Sequence, residues 1–184
     1  MTPIAAVLML TIQQSAVPPP VEQFTADCAA PVYASERLIC SDPELLETEA
    51  QIADLWRAAA PDWSPGPWLE QQETWFRRRA LCAFQTEHRA CLQGANAERV
   101  RVLEASARSP VQPIASRCTG GGISQGLSLD QGDRGLAAYD QRGLVWLAIR
   151  ADPHWRPFVS RETGRSTTVQ RLDGDKLTCR VRPS

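Results

Sequence analysis

Six cysteines in a chain of 184 residues constrain the fold more than any other feature of this sequence. They are Cys28, Cys40, Cys82, Cys91, Cys118 and Cys179. Because no Cys-x-x-Cys occurs, the spacing does not favour zinc or a thioredoxin-like motif. An even count after an apolar N-terminus favours disulfides formed in an oxidising compartment, although six free buried thiols would have the same count. We therefore predict a disulfide-bonded protein that is periplasmic or secreted.

The N-terminus supports export but is atypical. Residues 4–12 (IAAVLMLTI) form an apolar run, and this run is too short for a bilayer, which needs about 20 residues. It fits the hydrophobic part of a signal peptide, and Ser15 and Ala16 are small enough for a cleavage site. No Lys or Arg precedes the run, and the site is not Ala-x-Ala. We predict a signal peptide at 1–16, a proline-rich leader at 17–26 and no integral membrane span.

The composition changes near Pro110 and Pro113, where any arriving helix must end. Before this point the chain is rich in Ala, Leu, Glu and Arg, and after it Gly and Thr become more frequent. The charge divides at the same place, with −5 over residues 17–110 and +4 over residues 111–184. We predict a helical domain at 27–108, a linker at 109–115 and a small β domain at 116–184. The overall charge of −1 gives no reason to expect nucleic acid as a partner.

Three helices are predicted in the first part. Ser41-Asp42-Pro43-Glu44 is a start signal for the first, since a capping side chain precedes an early proline. Ser64-Pro65-Gly66-Pro67 opens the second, on which Trp68, Gln72, Trp75, Arg79 and Cys82 fall close to one face. The third covers residues 86–108.

The helical hairpin predicts a disulfide pairing. It places the start of the first helix beside the end of the second, so Cys40 would meet Cys82, and Cys28 would meet Cys91. The pairing of Cys28 with Cys82 and of Cys40 with Cys91 is the alternative.

The second part is predicted to form short strands separated by turn signals such as Asp173-Gly174. The candidate strands are 126–129, 136–139, 144–149, 157–160, 166–172 and 176–181. Their regular spacing favours a small antiparallel barrel or sandwich. A Cys118–Cys179 bridge would tie its first segment to its last strand. The predicted fold class is thus α+β, with a disulfide-stapled three-helix domain before the β domain.

A group of motifs in the helical part is specific enough to indicate a family. Cys28 with Ala29 and Ile39-Cys40 precede an Asp-Pro-Glu-Leu helix start. These motifs are followed by Gln72-x-x-Trp75-Phe76-x-x-Arg79-x-x-Cys82, by Cys91-Leu92 and by a last helix that ends at Leu103. This part resembles the lysozyme inhibitor LprI family of exported bacterial proteins. It departs from the family in Phe76, where Leu is usual, and in lacking the Tyr that often follows the Cys-Leu pair.

The strand-rich part resembles MliC, a family of inhibitors of c-type lysozyme. The shared features are its size, its strand density and its terminal cysteine pair. The Ser-Gly-x-x-Tyr segment of that family is not evident, and residues 160–164 (SRETG) resemble it only distantly. No binding residue is carried over from this resemblance.

Gln72, Trp75 and Arg79 are the candidate site residues. Trp and Arg are common interface anchors, so these residues are either a partner-binding surface or a core Trp with an Arg beside it. Neither His88 nor His154 stands in a metal-ligand pattern. A Ser-His-Asp site from His154 and Asp152 would lack a nucleophile elbow. We therefore predict no enzyme activity, no metal and no cofactor.

Two short charged runs are more simply explained as solvated faces. Residues 77–79 (RRR) could attract phosphate, but they spread around a helix. Glu44, Glu47 and Asp54 form an acidic stripe on the first helix, which could contact a basic enzyme.

The resemblance implies an inhibitor of lysozyme or of a related cell-wall hydrolase that binds this protein partner and occludes its cleft. The alternative is a binding or scaffold module of the cell envelope that does not affect lysozyme.

Overall fold

The protein consists of a helical half followed by a strand-rich half, as a computed structural model shows. The structure describes residues 23–108, 114–132, 135–162 and 166–181. Helices, an antiparallel sheet and disulfides occur in the predicted order, so the α+β class is confirmed. The predicted signal peptide, residues 17–22 of the predicted leader and residues 109–113 of the predicted linker lie outside the described residues. The domain boundaries therefore stay a prediction.

Four α-helices are described: α1 Ala34–Ser41, α2 Pro43–Ala59, α3 Gln72–Ala80 and α4 His88–Ser106. The start of α2 follows the predicted signal. The Asp42 carboxylate accepts the backbone N–H groups of Glu44 and Leu45, and Pro43 stands at the first position, where no N–H is needed. Short 3₁₀ turns, Ala60–Asp62 and Leu81–Phe84, follow α2 and α3.

The sequence patterns missed α1 and began α3 too early. The buried Glu36 carboxylate organises α1 by accepting the N–H groups of Val32 and Tyr33, both at 2.8 Å. This contact replaces the Ser, Thr or Asp cap that a sequence pattern would reveal. α3 begins at Gln72 and not at Pro65 because residues 63–71 form a loop that crosses to the other half.

Seven strands of the described chain form one antiparallel sheet in the order β4-β3-β2-β1-β7-β6-β5. They are β1 Ile114–Gly120, β2 Ile123–Gly132, β3 Gly135–Asp140, β4 Gly143–Ala148, β5 Val159–Glu162, β6 Thr167–Arg171 and β7 Lys176–Val181. A parallel bridge between Ile149 and Ser160 brings the two ends of the sheet together, so the sheet is nearly a closed barrel. β1 was not predicted, because its inward residues Ser116 and Cys118 give no apolar alternation.

Trp68 belongs to the helical half but is buried in the core of the barrel. It packs with a cluster that includes Leu127, Trp146 and Leu177, and it is 0% exposed. Its Nε1–H donates to the carbonyl of Gly121 at 2.9 Å. A Cβ on Gly121 would stand 2.1 Å from the indole ring, so only glycine permits this approach. The loop that precedes α3 therefore closes the barrel with a side chain.

A second contact joins α4 to the outer face of β3 and β4. Val102 and Ala105 pack against Tyr139 and Leu147, and the Tyr139 hydroxyl donates to the Ala105 carbonyl at 3.3 Å. Each half therefore completes part of the other half's core.

The buried carboxylate of Glu98 on α4 holds the connection between β4 and β5 against the helices. It accepts the Nε1–H of Trp155 and, at 2.7 Å, the backbone N–H of Phe158. Arg78 forms an ion pair with Glu98 at 3.2 Å and lies over the Trp155 ring. Burial raises the pKa of the Glu98 carboxyl, and the charge of Arg78 opposes this rise. The two halves thus meet through polar as well as apolar groups.

The predicted pairing of the first four cysteines is wrong in both of its forms. The bridges are Cys28–Cys40 and Cys82–Cys91, each with Cα atoms 5.5 Å apart. The unpredicted helix α1 carries Cys40 back to Cys28. α3 ends at Ala80, and the chain then turns, so that Cys82 faces Cys91 in the first turns of α4. The hairpin prediction failed because it treated the segment up to Cys82 as one continuous helix.

The third predicted bridge, Cys118–Cys179, is present. Its two cysteines stand directly opposite each other on β1 and β7. They join the first strand to the last, as the sequence predicted. Three disulfides are typical of proteins from oxidising compartments. Within the part of the chain that the structure describes, no helix is both long and apolar enough to cross a membrane.

Candidate interaction site

The structure places Gln72, Trp75 and Arg79 together on α3, where each is 1% exposed. The Gln72 side chain donates to the carbonyl of Phe24 and accepts from Arg99. The Trp75 Nε1–H donates to the carbonyl of Ala95 at 3.3 Å. These contacts tie α3 to the N-terminal segment and to α4. A partner cannot reach side chains buried to this extent in the folded protein.

Arg79 is the centre of a buried polar network. Its guanidinium makes a two-point ion pair with Glu49 of α2 and donates to the Asn96 Oδ1 of α4 at 3.0 Å. The guanidinium also lies 4.5 Å from the ring centre of Trp75. One side chain thus connects three helices, and the contacts support a structural role for this motif.

The three consecutive arginines have three different environments. Arg77 is exposed and pairs with Glu73, whereas Arg79 is buried with Glu49. Arg78 makes a two-point hydrogen bond to Glu70 at 2.8 and 2.7 Å. The run is therefore not one cationic surface.

The predicted acidic stripe is partly neutralised. Glu44 pairs with Arg89, and Asp54 pairs with Arg57. Glu47 stays exposed on the same helix. This surface is consistent with a solvated face.

Neither histidine stands in a hydrolytic arrangement. The Ser35 hydroxyl donates to the Ala80 carbonyl at 3.1 Å, and His88 Nε2 lies 3.2 Å from the same hydroxyl. Ser35 is only 2% exposed, so a substrate cannot reach this hydroxyl in the folded protein. The Asp152 carboxylate accepts the backbone N–H of His154 and so stabilises a turn. No group of three or more metal-binding side chains occurs within the described ranges.

Among the described residues, Phe84 is the most exposed large apolar residue, and it lies on a loop that sequence reasoning did not single out. Phe84 is 86% exposed and Leu81 is 58% exposed. Both belong to the 3₁₀ turn Leu81–Phe84 between α3 and α4. The Cys82–Cys91 bridge closes this loop at its base, and both cysteines are fully buried. We call residues 81–87 the disulfide-closed tip.

The tip combines a fixed base with an exposed apolar end. Gln85, Thr86 and Glu87 continue the exposed surface beyond Phe84. Single exposed hydrophobic residues are ordinary on protein surfaces. A nearly fully exposed phenylalanine on a cross-linked turn is less ordinary. Because the disulfide already holds the turn in one conformation, less conformational entropy is lost when a partner binds. The available signal in the sequence was an aromatic residue between two cysteines, in a stretch without helical periodicity.

Comparison of this chain with protein-family models, with curated proteins and with solved structures found no significant match.

Proposed function

We propose that this is an exported envelope protein that inhibits lysozyme or a related cell-wall hydrolase by protein–protein binding. The resemblance of residues 28–103 to the LprI family supports the proposal, and the three disulfides support export. The observation that carries the proposal is the disulfide-closed tip with Phe84 at its end.

The shape of the tip suits a concave partner. Phe84 and Leu81 extend from a turn whose base is cross-linked, so they can enter a cleft without rearrangement of the inhibitor. Buried aromatic residues at the centre of an interface supply most of the binding free energy in many complexes. A cell-wall hydrolase has such a cleft, because it must enclose a polymer chain. We propose that the tip occupies this cleft and excludes the substrate.

The charge of the helical half favours a basic partner. Residues 17–110 carry a net charge of −5, and Glu87 is exposed on the tip itself. Complementary charge speeds association and orients the two proteins before they dock. Inhibition should therefore weaken as the salt concentration rises.

Replacing Phe84 with alanine should raise the inhibition constant by about 30-fold or more, the effect expected for a central aromatic anchor. The measurement is lysis of cell-wall suspensions by a c-type lysozyme over a range of inhibitor concentrations. Val32→Ala is the matched control, because Val32 is apolar and 65% exposed but lies outside the tip. Both variants should melt near the wild-type temperature, since both side chains are exposed.

Equal inhibition by the Phe84→Ala variant and the wild type would exclude the tip as the inhibitory element. If the wild type does not inhibit even at high molar excess, the alternative of an envelope scaffold is favoured. In that case cross-linking from position 84 in envelope extract should identify a saturable partner.

A further inference from the structure

Two arginines stand directly opposite each other on the outer surface of the barrel. β1 and β7 pair in a register that places Arg117 opposite Arg180, next to the Cys118–Cys179 pair. The cysteines are buried in the barrel core. Successive side chains of a strand point to opposite faces, so both arginines point outward. Both are exposed.

Other cations on the strands of this half have acidic partners. Arg171 pairs with Asp173, and Lys176 pairs with Glu162. Across the described ranges, neither Arg117 nor Arg180 has an ion pair or a side-chain hydrogen bond to a carboxylate. Like charges directly opposite each other on neighbouring strands destabilise a sheet. The pair therefore costs stability in the free protein, and a bound anion would remove that cost.

The residues around the arginine pair have small side chains, and several of these carry hydroxyl groups. Thr119 lies opposite Thr178 two positions along the same two strands. On the other side of β1, Gly126 lies opposite Arg117, and Ser124 lies opposite Thr119. A Cβ on Gly126 would meet only the Ser116 carbonyl, at 3.7 Å, so the space beside the Arg117 backbone is open. The surface offers hydrogen-bond donors and room for a ligand to lie flat.

A polar hollow continues this surface towards a third arginine. It has a volume of about 630 Å³, and its lining includes Ala115, Gly126, Ser128 and the turn between β3 and β4. Arg142, on that turn, has a side chain that is 89% exposed and a 3.5 Å contact with Asp140. Three exposed guanidinium groups are thus distributed across one face, which suits an extended anion better than a single ion.

We propose that the Arg117–Arg180 pair binds the phosphate groups of an extended, water-soluble polyanion that carries phosphates but no nucleobases. Guanidinium groups recognise phosphate through paired, charge-assisted hydrogen bonds. An anionic membrane would require large apolar side chains around the pair, but its outward neighbours are Thr119, Thr178, Gly126 and Ala115. Single-stranded nucleic acid would require exposed aromatic side chains on which bases stack, whereas Tyr139, the aromatic residue that lines the hollow, is only 5% exposed. This site lies on the other half of the protein from the tip and does not depend on the proposed inhibition.

The test is calorimetric titration of the full disulfide-bonded protein with linear tripolyphosphate, at low and at physiological salt. The wild type should bind, and binding should weaken with salt because counterions are released. Arg117→Ser and Arg180→Ser should each weaken binding about tenfold, as expected for the loss of one charge-assisted contact. Each variant should also be at least as stable as the wild type without ligand, which separates lost binding from misfolding.

Arg161→Ser is the matched control. Arg161 is exposed and lies on β5 opposite the buried Val169, so it is on the other face of the sheet. Its replacement removes the same charge and should leave binding unchanged. If all three variants bind tripolyphosphate equally more weakly than the wild type, the effect depends only on net charge and the proposal is overturned. Tighter binding to anionic phospholipid vesicles or to single-stranded DNA than to a polyphosphate of equal charge would also overturn it.

Discussion

Replacing Trp68 with alanine should lower the free energy of unfolding by about 3–5 kcal/mol, the range for removal of a buried Trp or Phe. The ring is 0% exposed inside the barrel, and its N–H satisfies the carbonyl of Gly121. Arg171 lies over the same ring and donates to the Pro67 carbonyl at 2.9 Å. The variant would therefore have a cavity, an unpaired carbonyl and a weakened loop contact. Urea denaturation with intact disulfides measures the loss.

Trp68→Phe is the informative control, because it keeps a six-membered aromatic ring in the core but removes the five-membered part of the indole with its N–H. It should lose clearly less stability than the alanine variant. Both variants should unfold in one transition, because the two halves share their cores. A loss of less than about 1 kcal/mol in the alanine variant would contradict a role of Trp68 in closing the barrel.

This dependence also bears on experiments with separated halves. A fragment that begins at β1 would lack Trp68, so part of the barrel core would be exposed to water. A helical fragment would lack Trp155, which packs with the helical core and donates to Glu98. Activity should therefore be assigned by point substitution in the full chain.

Replacing Arg79 with methionine should have a similarly large effect, about 3–5 kcal/mol, because it leaves a buried charge without its partner. Glu49 is 4% exposed and would keep only the backbone N–H of Ala26 as a donor. The measurement is again urea denaturation. Asn96 would lose its donor as well, which adds to the cost.

The double variant Glu49→Gln with Arg79→Met tests the reason for this loss. Glutamine keeps an oxygen for the Ala26 N–H but has no charge, so the double variant should recover about half of the lost stability or more. If it is no more stable than Arg79→Met alone, the loss arises from packing around the Trp75 ring and not from the unpaired carboxylate. The Gln-Trp-Arg motif would then be primarily a packing motif.

The sequence predicted those elements that carry a local chemical signal. Asp42 and Pro43 mark the start of α2, and a glycine turn precedes β7. α1 and β1 were missed, because their formation depends on distant partners. Glu36 must reach back to the N–H of Val32, and the Ser116 hydroxyl must find the Leu127 carbonyl on β2. Such contacts follow from the fold and cannot be detected as a pattern in one segment.

The candidate sites show the same limit in a different form. The helical spacing indicated Trp75 and Arg79 as candidate site residues, but such spacing does not distinguish a buried helix face from an exposed one. Phe84 and the Arg117–Arg180 pair depend on exposure and on strand register, which the three-dimensional structure supplies. The cysteine pairing failed for a related reason, since one unpredicted helix changed which cysteines were neighbours.

Each of the three bridges joins a cysteine to the next cysteine along the chain, at separations of 12, 9 and 61 residues. This order matters for a chain that is threaded N-terminus first into an oxidising compartment. An oxidase that couples each newly emerged thiol to the one before it would produce the native pairing directly. Maturation of this protein should then require a thiol oxidase but no disulfide isomerase.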